Sequence, residues 1–254
     1  MRGKSAAAKK GLRVRSFLNE KSCKRSPLGD TIEAKEGIGL DKIVLMFELI
    51  GTASFSVSGA LCAIAKKLDI FGVLFCGIVT ALGGGVFRDL LLGQTPPTMF
   101  TDYIYVVAAA LAALLTFIIV SVVHKRSSRP IDERGVLTFI NYLLDAVGLA
   151  VFTVVGVNVA MACGFENNPF FVISLGMTTG CFGGVFRDVL TAEIPVIFTK
   201  RIYAVASALG GAVYWALWHY EVLAAAVAMT VGMAVIFAVR LMAIIFKWNL
   251  PKAA

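Results

Sequence analysis

Arg88 and Asp89 close one long apolar run, and the same pair returns as Arg187 and Asp188 at the close of another. Each pair sits behind glycines, in Gly83-Gly84-Gly85-Val86-Phe87-Arg88-Asp89 and in Gly183-Gly184-Val185-Phe186-Arg187-Asp188. Two further carboxylates, Glu48 and Asp145, lie inside apolar runs, each with a glycine three residues later. Hydrocarbon tolerates such charges only when they pair with one another or face water, so they are either plain interfacial anchors at span ends or part of a polar path for ions or small solutes. The constellation lacks a nucleophile with its base, a phosphate-cradling loop that ends in Lys-Ser or Lys-Thr, and a dinucleotide fingerprint. The sequence therefore reads as a non-enzymatic protein that needs no cofactor.

The elements that position these residues are membrane helices. Apolar residues make up 58% of the 254 and charged residues 16%, with a mean hydropathy of +0.83, whereas soluble domains carry about 25% charged residues. Seven apolar runs are long enough to cross a hydrocarbon core of about 30 Å as helices. They cover Ile43 to Ala65, Ile70 to Leu92, Tyr103 to Val123, Val136 to Met161, Phe170 to Leu190, Ile202 to Tyr220 and Val222 to Phe246. No strict alternation supports a barrel. Turn residues such as Asn167-Asn168-Pro169 and Glu193-Ile194-Pro195 separate the runs.

The duplication reaches well beyond the glycine motifs. Glu48, Gly51, Phe55 and Gly59 are answered at one offset by Asp145, Gly148, Phe152 and Gly156, and Pro97, Phe100, Thr101 and Tyr105 by Pro195, Phe198, Thr199 and Tyr203. Spans one to three are thus copied as spans four to six, with span seven unmatched. An odd number of spans per copy makes the second copy enter from the opposite face, so an inverted-topology repeat is expected. The fold class is an all-α integral membrane protein with a transmembrane domain over 42–250. Repeat one spans 43–123, repeat two 136–220, and the extra helix 222–246.

Residues 1–41 read as a basic, disordered tail, either a solvated extension able to touch anionic lipid or an organelle transit peptide. The formal charge of +8 comes largely from this tail and a few loops, which argues against nucleic acid as a partner. Lys66, Lys67, Lys125, Arg126, Arg129, Arg134, Lys200, Arg201, Lys247 and Lys252 all fall on the face reached after an odd number of spans. That face is expected to be cytoplasmic, with the N-terminus outside and the C-terminus inside. Cys23, Cys62, Cys76, Cys163 and Cys181 show no CxxC spacing, and His124 and His219 have no carboxylate at ligand spacing, so a metal site is not expected.

The glycines admit two readings. Small residues permit close helix packing; alternatively, spans two and five break at the glycines and expose backbone carbonyls to a polar path. Adjacent residues do not face one another on a helix, which argues against an Arg88–Asp89 pair. Arg88 with Asp188, or Arg187 with Asp89, would meet if the motifs curled to one depth. Lys66 and Lys67 read as snorkelling anchors.

Ser58-Gly59-Ala60, Lys67-Leu68-Asp69-Ile70-Phe71-Gly72, the run from Thr80 to Gly93 and Pro96-Pro97 resemble the prokaryotic branch of the trimeric intracellular cation (TRIC) channels. The same domain also carries the label of a bacterial glycine transporter. The resemblance covers Ile43 to Phe246. It implies a homotrimer in which each seven-helix protomer conducts monovalent cations, chiefly potassium and sodium. It further implies a pore lined by broken helices at Gly83, Gly84, Gly85, Gly183 and Gly184, in a bacterial inner membrane. Two departures stand out: Phe182 occupies the place of a third glycine, and the Lys-Glu-Val triplet of animal members is absent. A glycine carrier of the same fold would instead use Glu48, Asp145, Arg88 and Arg187 to hold an ammonium and a carboxylate. A membrane assembly factor without transport would leave the duplicated charges without a role.

Overall fold

The computed structural model describes residues 39–126, 133–199 and 202–246. The expectations for the basic tail up to residue 38, for Arg129 and for the Lys200, Arg201, Lys247 and Lys252 charges lie outside these residues. Among the described residues the long elements are seven helices: α1 (Gly39–Ala65), α2 (Ile70–Leu91), α3 (Tyr103–Arg126), α4 (Glu133–Ala160), α5 (Pro169–Leu190), α6 (Ile202–His219) and α7 (Ala225–Ile245). Six are long and apolar enough to cross a membrane; α6 has 18 residues. Single helical turns, Thr98–Thr101 and Val196–Thr199, precede α3 and α6. Helix α1 begins at Gly39, inside the stretch read as tail, and α4 continues into a π-helical turn, Met161–Phe165, in which Gly164 adopts φ +83.

Local chemistry is repeated along with the sequence. The Asp69 carboxylate caps α2 by accepting from the Gly72 amide at 2.7 Å, and the Asn168 side chain caps α5 by accepting from Phe171 at 3.1 Å, with Pro169 at the first turn. Both helices end alike. The Leu92 and Thr191 amides donate to the carbonyls of Arg88 and Arg187, and the Gln94 and Glu193 amides donate to those of Asp89 and Asp188. Each chain turn passes through a left-handed residue, Gly93 (φ +70) in the first copy and Ala192 (φ +54) in the second.

The four central helices α1, α2, α4 and α5 pack against one another; α3 leans on α1 and α2, and α6 leans on α4 and α5. Phe55 of α1 and Phe152 of α4, which occupy equivalent positions in the two copies, stack at 5.4 Å between centroids. This marks the pseudo-twofold axis of the inverted repeat. Helix α7 has no counterpart and packs on α4 and α6, so α4 becomes the most enclosed helix while α3 leaves most of its apolar surface outward. Leu111, Leu115, Ile118 and Ile119 on α3 are exposed, as expected for side chains that meet lipid rather than water.

The expected break at the glycines is absent. Both α2 and α5 run as continuous helices through Gly83–Gly85 and Gly183–Gly184. The two helices are antiparallel and cross there. An added Cβ at Gly84 would overlap the Thr179 carbonyl, and one at Gly183 would overlap the Thr80 carbonyl. The packing reading of these glycines is therefore the one realised, because two backbones can come this close only without a Cβ on either side.

Candidate functional site

The charged residues gather in two clusters at opposite ends of the central four helices. Arg88 and Arg187 each lie near the C-terminus of their helix, four residues beyond the crossing glycines, which places each roughly 6 Å from the crossing along opposite directions. The cross-repeat pairs Arg88–Asp188 and Arg187–Asp89 consequently do not form.

The first cluster lies toward the face where α1 begins. Arg88 donates from Nε and Nη2 to Asp89 Oδ1 at 2.9 and 2.8 Å. The other carboxylate oxygen of Asp89 accepts from the Thr98 amide at 2.8 Å, so Asp89 also holds the start of the Thr98–Thr101 turn. Glu48 of α1 accepts a hydrogen bond from the Tyr105 hydroxyl at 2.5 Å. Between them lies a cavity of about 50 Å³ lined by Glu48, Thr52, Gly85, Arg88, Tyr105 and Phe152, among others. Gly85 faces this space: a Cβ built there would meet only Arg88, at 4.0 Å.

The second cluster, toward the opposite face, repeats the parts and closes the space. Arg187 donates from Nε to Asp188 at 2.9 Å, and Asp188 accepts from the Val196 amide at 2.8 Å. Here, however, Arg187 Nη1 also donates to Asp145 and to the Ser58 hydroxyl, both at 2.7 Å. Tyr203 donates to Asp145 at 3.3 Å. Arg240 of α7 reaches the second oxygen of Asp145 at 3.5 Å, and its guanidinium lies 4.6 Å from the centroid of the Tyr203 ring. Gly184, the counterpart of Gly85, has no free space, since a Cβ there would stand 2.9 Å from the Tyr203 hydroxyl. Asp145, Arg187, Asp188, Tyr203 and Arg240 are all buried.

Three differences explain the asymmetry. Glu48 is one methylene longer than Asp145 and bonds Tyr105, whereas Asp145 takes Arg187 and Arg240 besides Tyr203. Ser58, which receives Arg187, corresponds to Val155 in the other copy, so Arg88 lacks that partner. Arg240 belongs to the unduplicated helix. Ser58 in turn donates to Asn141 Oδ1 at 2.6 Å, and the Asn141 amide donates to Cys62 at 3.3 Å. By the same offset as the other matches, Asn141 and Cys62 correspond to Val44 and Val159, both buried apolar residues.

Glu48, Arg88, Asp89, Asp145, Arg187 and Asp188 are thus all in one of the two clusters. The expectation against an Arg88–Asp89 pair fails in both copies. Arginine's long stem folds back over the helix end, and the neighbouring carboxylate turns toward the loop to hold a backbone amide, so the pair need not share a helix face. Arg240 is absent from the sequence expectations, although a lone arginine inside the run from Ala225 to Ile245 is the same signal that marks Glu48. Tyr105 and Tyr203 were recognised as repeat partners but not as ligands of Glu48 and Asp145. Lys66 is more than an anchor: it pairs with Glu193 at 2.9 Å.

The glycine transporter family model matches twice, over residues 45–121 and 142–219, once on each copy. The chain belongs to this family. Relatives include an Escherichia coli K12 protein described as UPF0126 inner membrane protein YadS, 37% identical over 212 residues that cover 84% of this chain and 97% of that protein. The Bacillus subtilis UPF0126 membrane protein YvgT is 32% identical over 211 residues, 82% of this chain and 95% of that one. Solved structures of TRIC cation channels share the fold. The TRIC orthologue from Rhodobacter sphaeroides superposes with a TM-score of 0.71 at 33% identity, covering 82% of this chain and all of that one. A prokaryotic TRIC channel crystallised in 0.5 M KCl gives 0.72 at 32%, over 82% of this chain and 99% of that chain. This member of the glycine transporter family is accordingly a non-enzymatic integral membrane protein with a channel-type fold.

Proposed function

We propose that the protein is a homotrimeric channel for monovalent cations, potassium and sodium among them, with one conduction path in each protomer. The observation that carries this reading is the likeness to TRIC cation channels over nearly their whole length, at identities of 32–35%. The path starts in the cavity of the first cluster, where Glu48 and Asp89 outnumber Arg88 and favour a cation. It continues past the crossing of Gly83, Gly84 and Gly85 with Gly183 and Gly184, and leaves through the cluster of Asp145, Arg187 and Asp188. The crossing and the second cluster are closed here, so conduction requires their separation. The loop charges favour a membrane orientation with the C-terminus in the cytoplasm.

A second reading, glycine transport, is favoured by one feature: a carboxylate and a guanidinium, Glu48 and Arg88, both line the first cavity and match the two ends of an amino-acid zwitterion. Reconstitution separates the two. Unitary potassium currents in a planar bilayer support the channel, whereas saturable glycine uptake into proteoliposomes without unitary currents replaces it by the carrier.

A further inference from the structure

We infer that Arg240 makes the two mouths of the conduction path electrostatically unequal and so sets the direction in which cations pass more readily; this deepens the cation-channel reading and rests on it. The first cluster holds one arginine, Arg88, against two carboxylates, Glu48 and Asp89. The second holds two arginines, Arg187 and Arg240, against two, Asp145 and Asp188. The inverted repeat would make the two clusters equivalent in charge, and among their described residues the group that breaks the balance comes from α7, the helix without a copy.

The placement of Arg240 fits a role in the site. It is 1% exposed, deep in the protein, where a guanidinium is costly unless paired. Its partners are Asp145 and the face of Tyr203, both parts of the second cluster, and its Nε is buried without a hydrogen-bond partner. Asp145 already has Arg187 at 2.7 Å, so it does not need Arg240 for neutralisation. What Arg240 adds is the second positive charge that brings this mouth to neutrality, and a guanidinium over the face of Tyr203, whose hydroxyl stands beside Gly184 where the other copy leaves space beside Gly85. A low-dielectric mouth lined by net negative charge concentrates cations, and a neutral one does not. Cations should therefore enter from the first cluster more readily than from the second.

Single-channel current–voltage curves test this, because the size of the rectification does not depend on which way round a channel inserts. In symmetric potassium chloride the parent should pass about two- to tenfold more current in one direction, in keeping with local cation enrichment by focused charge. Arg240→Gln should bring that ratio toward one by increasing the smaller current, and Arg240→Lys, which keeps the charge, should retain it. Glu48→Gln acts on the opposite mouth and keeps the Tyr105 hydrogen bond; it should bring the ratio toward one by decreasing the larger current. Unitary currents with a ratio that neither Arg240→Gln nor Glu48→Gln alters would overturn the inference while leaving the channel intact. A ratio of one in the parent overturns it too. Absence of unitary currents in the parent overturns the channel reading itself, and this inference with it.

Discussion

Gly84 of α2 rests directly on the main-chain carbonyl of Thr179 in α5, and Gly183 of α5 rests in the same way on the carbonyl of Thr80 in α2. Each threonine hydroxyl turns back to bond the carbonyl four residues earlier, Thr80 to Cys76 and Thr179 to Leu175, both at 2.6 Å, which keeps it satisfied inside the apolar packing. The crossing brings the two backbones into direct contact and lies between the two charge clusters. On the proposed conduction path, the separation that opens it would act here.

Alanine at these crossing glycines should force the helices apart. Gly84→Ala and Gly183→Ala are expected to destabilise by about 1–3 kcal/mol each, the usual range for overpacking against a backbone that cannot move aside. Gly85→Ala, which meets nothing nearer than Arg88 at 4.0 Å, should be nearly neutral in stability. Thermal unfolding in detergent micelles of the three variants compares them directly, and equal losses in all three would mean that the close approach is not what these positions require.

The two equivalent carboxylates should differ in their effect on folding. Removing Asp145 leaves Arg187 and Arg240 buried with one remaining acidic partner, and breaking a buried ion pair from one side typically costs about 3–5 kcal/mol. Glu48→Ala removes one hydrogen bond to Tyr105 beside a cavity, a loss on the order of 1 kcal/mol. Expression and melting temperature of Asp145→Ala should fall well below those of Glu48→Ala. A similar loss in both would mean that the second cluster is not the tighter one.

Much of this arrangement was legible before the structure, for reasons that separate its parts. Charges such as Glu48 and Arg187 stand out in apolar runs because hydrocarbon excludes them, and a repeat with three spans can only be inverted. The state of the glycine motifs was not legible, since Gly84 and Gly183 satisfy a kinked helix and a close crossing equally well. Pairing was not legible either. Whether Arg88 reaches Asp89 depends on how each side chain turns at the helix end, and Asp89 turns outward because the Thr98 amide waits there. The partnership of Arg240 with Asp145, across 95 positions, needed the packing of α7 on α4.

Asp89 and Asp188 should also govern the one-turn helices that follow them. Each carboxylate bonds its arginine with one oxygen and a loop amide, Thr98 or Val196, with the other. A hydrogen bond to a charged group contributes about 1.5–3 kcal/mol, so Asp89→Ala should speed amide exchange at Thr98 by roughly ten- to a hundredfold. Asp188→Ala should do the same at Val196. Hydrogen–deuterium exchange with fragment readout reports both, and unchanged protection would assign these turns to other contacts.

Ala192 holds the left-handed conformation (φ +54) that Gly93 supplies in the first copy. For a residue with a Cβ this conformation costs about 1–2 kcal/mol, whereas glycine adopts it freely. Ala192→Gly should therefore stabilise the protein by up to about 1 kcal/mol after the extra flexibility of glycine in the unfolded chain is subtracted. The melting temperature in micelles checks the sign: a lower value would show that the Ala192 methyl contributes more than its backbone strain removes.

Lys66 follows α1 and Glu193 follows α5, and their ion pair at 2.9 Å requires both loops to lie on one face. Exposed pairs of this kind contribute about 0–1 kcal/mol, so its interest is geometric rather than energetic. Cysteines at 66 and 193, introduced after the native thiols are replaced, should be joined by a short bifunctional thiol reagent in intact membranes. Both should also react with an impermeant thiol reagent from one side only, the cytoplasmic side if the loop charges set the orientation. Labelling from opposite sides would break the inverted repeat, because α1 and α5 would then differ by an odd number of crossings from the arrangement that brings Arg187 to Ser58 and Asp145.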